Sequence, residues 1–341
     1  MSVNEPERQA LGCIEDGLAG SDPRLAAMLN IFSRLAAGEQ MPVHERHQVN
    51  RTEGMSVITD IPLAGRILRR GDDGRPAAQG GRAVEPFDTT RPNIARVWDY
   101  WLGGKDNFAA DRELAEKMLA VHPVTAQMAR ENRQFLGRAV SYVAARGVRQ
   151  FIDVGAGLPT VLNTHDIARH TEPDARVAYV DNDPIVISHA RSLLAKSPGV
   201  IAVPGDMRDP GRILADPGLT GLIDLAEPVC VILSGVLHFA DPAAARDIAA
   251  DFARAVVSGS YLIISVGSGN PSEGENFTSA YTAARIYIHS RDEIQGFFGG
   301  LGLVPPGVVS VRDWSGDRPA LNLEPLTATF VAGVARKVNA G

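Results

Sequence analysis

The chain has 341 residues, 45% hydrophobic and 22% charged, enough apolar mass for one large domain plus a smaller segment. Its net charge of −6 argues against a broad electrostatic footprint for DNA or RNA, and two distant cysteines, Cys13 and Cys230, exclude a disulfide framework or a CxxC zinc site. No apolar run approaches the ~20 residues of a membrane helix, and the opening MSVNEPERQA has no signal-peptide core, so the expectation is a soluble, cytoplasmic protein.

Residues 1–38 read as a helical appendage: Leu11, Ile14 and Leu18 share one helical face, and Ser21-Asp22-Pro23 restarts a helix that Gly38 ends. Its segment IEDGLAGSDPRLAAML resembles a bacterial domain of unknown function. Residues 39–90, rich in Gly, Pro, Arg and Asp, read as a flexible linker. From residue 91 the chain reads as one compact domain ending near 338. Pro92 opens a helix with Ile94, Val97, Trp98 and Trp101 on one face, and Gly103-Gly104 stop it. Helices over 111–121 and 124–146 follow.

An alternation of strand and helix then begins. Strands are expected at 149–154, 176–181, 200–204, 228–235, 260–265, 308–313 and 327–336. Helices are expected near 160–170, 184–196, 210–215, 242–257 and 290–301. This pattern predicts an α/β fold, a Rossmann-like, doubly wound, mostly parallel seven-stranded sheet. The last two strands, joined without a helix, predict an antiparallel edge hairpin.

Ligands of open α/β sheets bind outside the carboxyl ends of the strands. The first strand ends at Asp153 and breaks into Gly155-Ala156-Gly157, the second ends at Asp181-Asn182, the third at Asp206-Met207 and the fourth at Ser234-Gly235. Glycines admit a ligand close to the backbone, an acid after the second strand suits a ribose diol, and Asp206-Met207 offers an acceptor and a soft face to an adenine. The plainer alternative is that the three acids only cap turns. A GxGxxG fingerprint would need glycine at 160, where Thr160 stands behind Pro159.

At these residues the chain resembles the S-adenosylmethionine-dependent methyltransferases, and within them a bacterial S-adenosyl methyltransferase family of unassigned substrate. The marks are RPNIARVWDYWLGGKDNFAADR, ENRQFLGRAV, FIDVGAGLPT, YVDNDPIV and VLHFADP. The resemblance implies S-adenosyl-L-methionine as cofactor, with Gly155–Gly157 at its methionine part, Asp181 on the ribose and Asp206 on the adenine. The expected reaction is methyl transfer to a small-molecule acceptor. A cofactor-binding sensor and a nicotinamide-dependent oxidoreductase are the alternatives.

Two further segments carry expectations. The turn from Gly103 to Phe108, with Gly104 and the preceding Tyr100, is expected to fold over the cofactor's methyl end, while Trp98 and Trp101 read as core. Arg133 either pairs with the methionine carboxylate or forms a surface ion pair. Tyr100 and His238 are the candidate catalytic residues; His238 follows the fourth strand, where it is either a general base or a hydrogen-bonded structural histidine. No metal site is expected.

Overall fold

A computed structural model describes residues 88–159, 163–194, 197–269, 277–316 and 329–338. The expected appendage at 1–38, nearly all of the expected linker and Thr160 lie outside the described residues.

Among the described residues three helices come first: α1 (Ile94–Trp101), α2 (Ala109–Val121) and α3 (Thr125–Ala144). Asn93 caps α1, its side-chain oxygen accepting from the Arg96 amide. The alternation follows as β1 (Gln150–Val154), α4 (Thr164–Thr171), β2 (Arg176–Asp181), α5 (Pro184–Leu194) and β3 (Val200–Pro204). Two short helices, α6 (Pro210–Leu214) and α7 (Pro217–Leu222), lead to β4 (Cys230–Ser234). A 3-10 turn at Leu237–Phe239, helix α8 (Pro242–Ala255) and β5 (Tyr261–Ser268) complete the parallel part. The chain then forms α9 (Arg291–Gly296), β6 (Gly302–Leu303), β7 (Val309–Ser310) and β8 (Thr329–Arg336).

The sheet order is β3-β2-β1-β4-β5-β8-β6, with β7 also pairing β8. β1 to β5 are mutually parallel, and β8 runs antiparallel beside β5 from Tyr261↔Arg336 to Ser268↔Thr329. Strand residues alternate between two cores, as a sheet covered on both faces requires. Ile152, Val180, Leu233 and Ile264 meet Phe252 of α8 and Ile294 of α9 on one side. Phe151, Val177, Ile232 and Ile263 meet Phe135, Ala139 and Val143 of α3 on the other.

The predicted doubly wound sheet is present, with one difference at its edge. β8 is an interior strand, and the edge beyond it is divided between β6 and β7, which both pair with it. Pro305 and Pro306 fall between the two pieces. Proline has no N–H for the ladder, so pairing with β8 lapses there; β7 falls in the strand expected at 308–313, and β6 is an unexpected addition that makes eight strands among the described residues. The helix expected over 290–301 stops at Gly296, although Ser290 and Glu293 form the capping box that starts it.

Candidate functional site

The carboxyl ends of β1 to β4 open onto one cavity of about 370 Å³. The chain reverses strand direction of growth at β1, since β2 and β3 lie on one side of it and β4 and β5 on the other. A doubly wound sheet forms its ligand crevice at such a switch point.

Beyond β1 the glycine loop is held by β2. The amides of Gly155 and Ala156 both donate to the Val180 carbonyl, at 2.8 and 3.1 Å. Gly155 has φ +71°, and a Cβ there would lie 2.2 Å from Cγ1 of Val236. Any other residue would strain the backbone and collide with a branched side chain. Gly157 also has positive φ, and a Cβ there would meet nothing within 4 Å. Its amide donates to Oδ2 of Asp181 at 3.0 Å, while the Asp183 amide donates to Oδ1 at 2.9 Å. Asp181 is therefore the joint between the β1 loop and the β2 end. Burial raises its pKa, and the backbone N–H groups oppose that shift.

Asp153 lies deeper, accepting from the Thr164 hydroxyl at 2.6 Å. Burial raises its pKa, opposed by the Thr164 bond and by the charge of Arg133. The Arg133 guanidinium is itself pushed down by burial and held up by Asp153 and Tyr179. At the end of β3, the Asp206 carboxylate is engaged by the Arg208 amide at 2.9 Å and by its guanidinium at 3.2 Å. The same guanidinium reaches across to the Phe239 carbonyl at 3.1 Å. At the end of β4, Asn132 of α3 donates from Nδ2 to Oγ of Ser234, which contacts Oγ of Ser265 at 2.9 Å.

Helix α1 forms the roof. Asn93, Ile94, Trp98, Asp99 and Leu102 line the cavity. Asn93 donates to Asp183 at 2.5 Å, fastening the start of α1 to the end of β2. A buried ion pair, Arg96 with Asp111 at 2.7 Å, locks α1 to α2. Asp99 holds the turn after α1: its Oδ2 accepts from the Asp106 amide and from Asn107 Nδ2, at 2.9 and 2.8 Å. Gly104 packs so closely on this carboxylate that a Cβ would fall 1.9 Å from Oδ1. Burial raises the Asp99 pKa against those two hydrogen bonds.

Every expected cofactor-binding residue except Gly103 and Gly104 lines the cavity. Those two glycines shape the turn around Asp99 and do not reach the cavity wall. Tyr100 is also off the wall: it points to α2, where its hydroxyl donates to Glu116. The helical step explains this, because 94, 98 and 102 share a face that residue 100 opposes. His238 is likewise absent from the wall. The 3-10 turn drives it inward, 5% exposed, against Phe239 and Phe330, and directs Phe239 to the cavity instead. Burial, with the neighbouring His289, lowers its pKa to about 3, so His238 is neutral near pH 7.

Sequence reasoning missed Asn93, Trp98, Asp99, Asn132, Arg208 and Phe239 as wall residues. For α1 the expected apolar face of Ile94, Val97, Trp98 and Trp101 divides in the structure: Val97 and Trp101 enter the core, whereas Ile94 and Trp98, with Leu102 one turn on, face the cavity. For Asn132 the signal was its place among the apolar positions of α3.

Comparison with known proteins decides the family. The sequence profile described as S-adenosyl methyltransferase matches residues 81–338. The chain belongs to this S-adenosyl methyltransferase family. It is an S-adenosylmethionine-dependent methyltransferase, with S-adenosyl-L-methionine as its cofactor. Two solved structures are similar over nearly their whole length. One is a Thermobifida fusca protein described as a candidate methyltransferase, 39% identical with a TM-score of 0.70, covering 74% of this chain and 97% of its own. The other is a DUF574 family protein of Streptomyces avermitilis, 37% identical with a TM-score of 0.69, covering 73% and 99%. No curated protein matches. The family match removes the nicotinamide alternative. Among the described residues of this methyltransferase no group of side chains could hold a metal ion, and no helix is long and apolar enough to cross a membrane.

Proposed function

We propose that the cavity at the ends of β1 to β4 binds S-adenosylmethionine and presents its methyl group to a small-molecule acceptor. The observation that carries this reading is the convergence of the Gly155–Gly157 loop, Asp181, Asp206-Met207 and Ser234-Gly235 on one cavity. Both Asp181 oxygens accept backbone N–H groups, and the carboxylate retains acceptor capacity that suits the ribose hydroxyls. The open space at Gly157 suits close approach of the methionine part. Asp206 retains acceptor capacity for an adenine amino group beside Met207, and Arg133 offers a cation to the methionine carboxylate.

The bound cofactor supplies a methyl group already activated on a sulfonium. The chain's own task is then alignment and exclusion of water. Ile94, Trp98, Leu102 and Phe239 supply an apolar wall for it. The cavity lies near the lower end of the ~300–1,000 Å³ typical of small-ligand sites, a size that suits the cofactor. In this reading residues 91–338 form the catalytic domain, and the free, buried Cys230 accords with a reducing cytoplasm. The test is transfer of a radiolabelled methyl group into a cell extract separated by size. Label in the low-mass fraction is expected; label confined to protein or nucleic acid would overturn the small-molecule reading.

A further inference from the structure

One polar group on the cavity wall is unmatched by the protein. Asn132 is 5% exposed, and its Nδ2 donates to Oγ of Ser234 at 3.3 Å, while its Oδ1 is buried without a partner. Rotating the amide by 180° exchanges the two atoms, since Ser234 can donate as well as accept. In the orientation present, with Nδ2 on Ser234, it is the acceptor end of the amide that lacks a protein partner. A buried polar atom of this kind is costly unless something else satisfies it.

The position of Asn132 says what that is. Consecutive residues of a helix diverge by about 100°, and α3 uses two of them on two strand ends. Asn132 reaches Ser234 at the end of β4, and Arg133 lies by Asp153 at the end of β1. Both line the cavity between the glycine loop and Gly235. An adenosine placed on β2 and β3 directs its amino-acid tail to these two ends. That tail carries one anion and one cation. Arg133 matches the carboxylate and cannot accept a hydrogen bond; the Asn132 oxygen can accept one.

We propose that Asn132 holds the amino-acid end of the cofactor, its side-chain oxygen accepting from the α-ammonium while Arg133 takes the carboxylate. The inference rests on the placement of the cofactor given above. Adjacent residues of α3 then read both charges of the tail, which would make the site selective for the intact amino acid over a truncated thioether.

The test compares two ligands by calorimetry: S-adenosylhomocysteine, which has the tail, and 5′-methylthioadenosine, which lacks it. Asn132→Leu removes the acceptor with little change of shape, and Asn132→Asp keeps it. The expected result is that Asn132→Leu weakens S-adenosylhomocysteine about 10- to 100-fold and leaves 5′-methylthioadenosine unchanged. Asn132→Asp should hold S-adenosylhomocysteine within a few-fold of wild type. Equal loss for both ligands in Asn132→Leu, no loss for either, or an Asn132→Asp protein as weak as Asn132→Leu would each overturn the proposal. A wild-type protein that binds 5′-methylthioadenosine as tightly as S-adenosylhomocysteine would overturn it while leaving the cofactor placement intact. A wild type that binds neither would overturn both.

Discussion

The rim made by the ends of β1 to β4 and the roof made by α1 line the same cavity, yet the chain specifies them in different ways. On the rim, position follows from topology. Asp153, Asp181 and Ser234 lie at or beside the last residues of parallel strands, and parallel strands must end on one side of the sheet. On the roof, position follows from rotation. Each step along α1 turns a side chain by about 100°, so Trp98 and Asp99 meet the cavity while Tyr100 meets Glu116. A strand end is located by counting elements. A helix face is located only when its packing partners are known.

The largest effect on this contrast is expected from the ion pair that sets the rotation of α1. Arg96 and Asp111 are both almost fully buried, so Arg96→Ala leaves a carboxylate uncompensated in the interior. Loss of about 3–5 kcal/mol of stability is expected in urea unfolding. A change below about 1 kcal/mol would mean that the roof is set by its apolar contacts alone. The smallest effect separates two neighbours on the same helix. Trp98→Ala should weaken S-adenosylhomocysteine about three- to tenfold, by loss of an aromatic wall. Tyr100→Phe removes only the hydroxyl that bonds Glu116, and binding should stay within about twofold of wild type. The reverse order of these two variants would place Tyr100 at the cavity and break the assigned rotation.

How much was legible in the sequence follows the same division. The runs ending at Asp153, Asp181 and Ser234 appear in the structure within one or two residues of their expected limits. The rim could be read because β-branched runs, a glycine loop and terminal acids are local signals. The edge of the sheet was less legible: the two-residue β6, ahead of Pro305-Pro306, carries no strand pattern of its own, and only its pairing with β8 reveals it. His238 shows the limit most clearly. Its position after β4 suggested access to an acceptor, but a single 3-10 turn decides whether residue 238 or 239 faces the cavity. Asn132 and Arg208 were invisible for a related reason. Their partners, Ser234 and the Phe239 carbonyl, are 102 and 31 residues away in the chain.

Asp181 is the residue on which the loop of β1 and the end of β2 meet, at the centre of the strand ends assigned to the cofactor. The most direct measurement is calorimetric titration of S-adenosylhomocysteine into the wild type and Asp181→Ala, with thermal unfolding of each recorded in parallel. Wild-type binding, weakened about 100-fold or more in a variant that still unfolds cooperatively, is the predicted result. Equal affinity in the two proteins would contradict the placement of the cofactor on this rim.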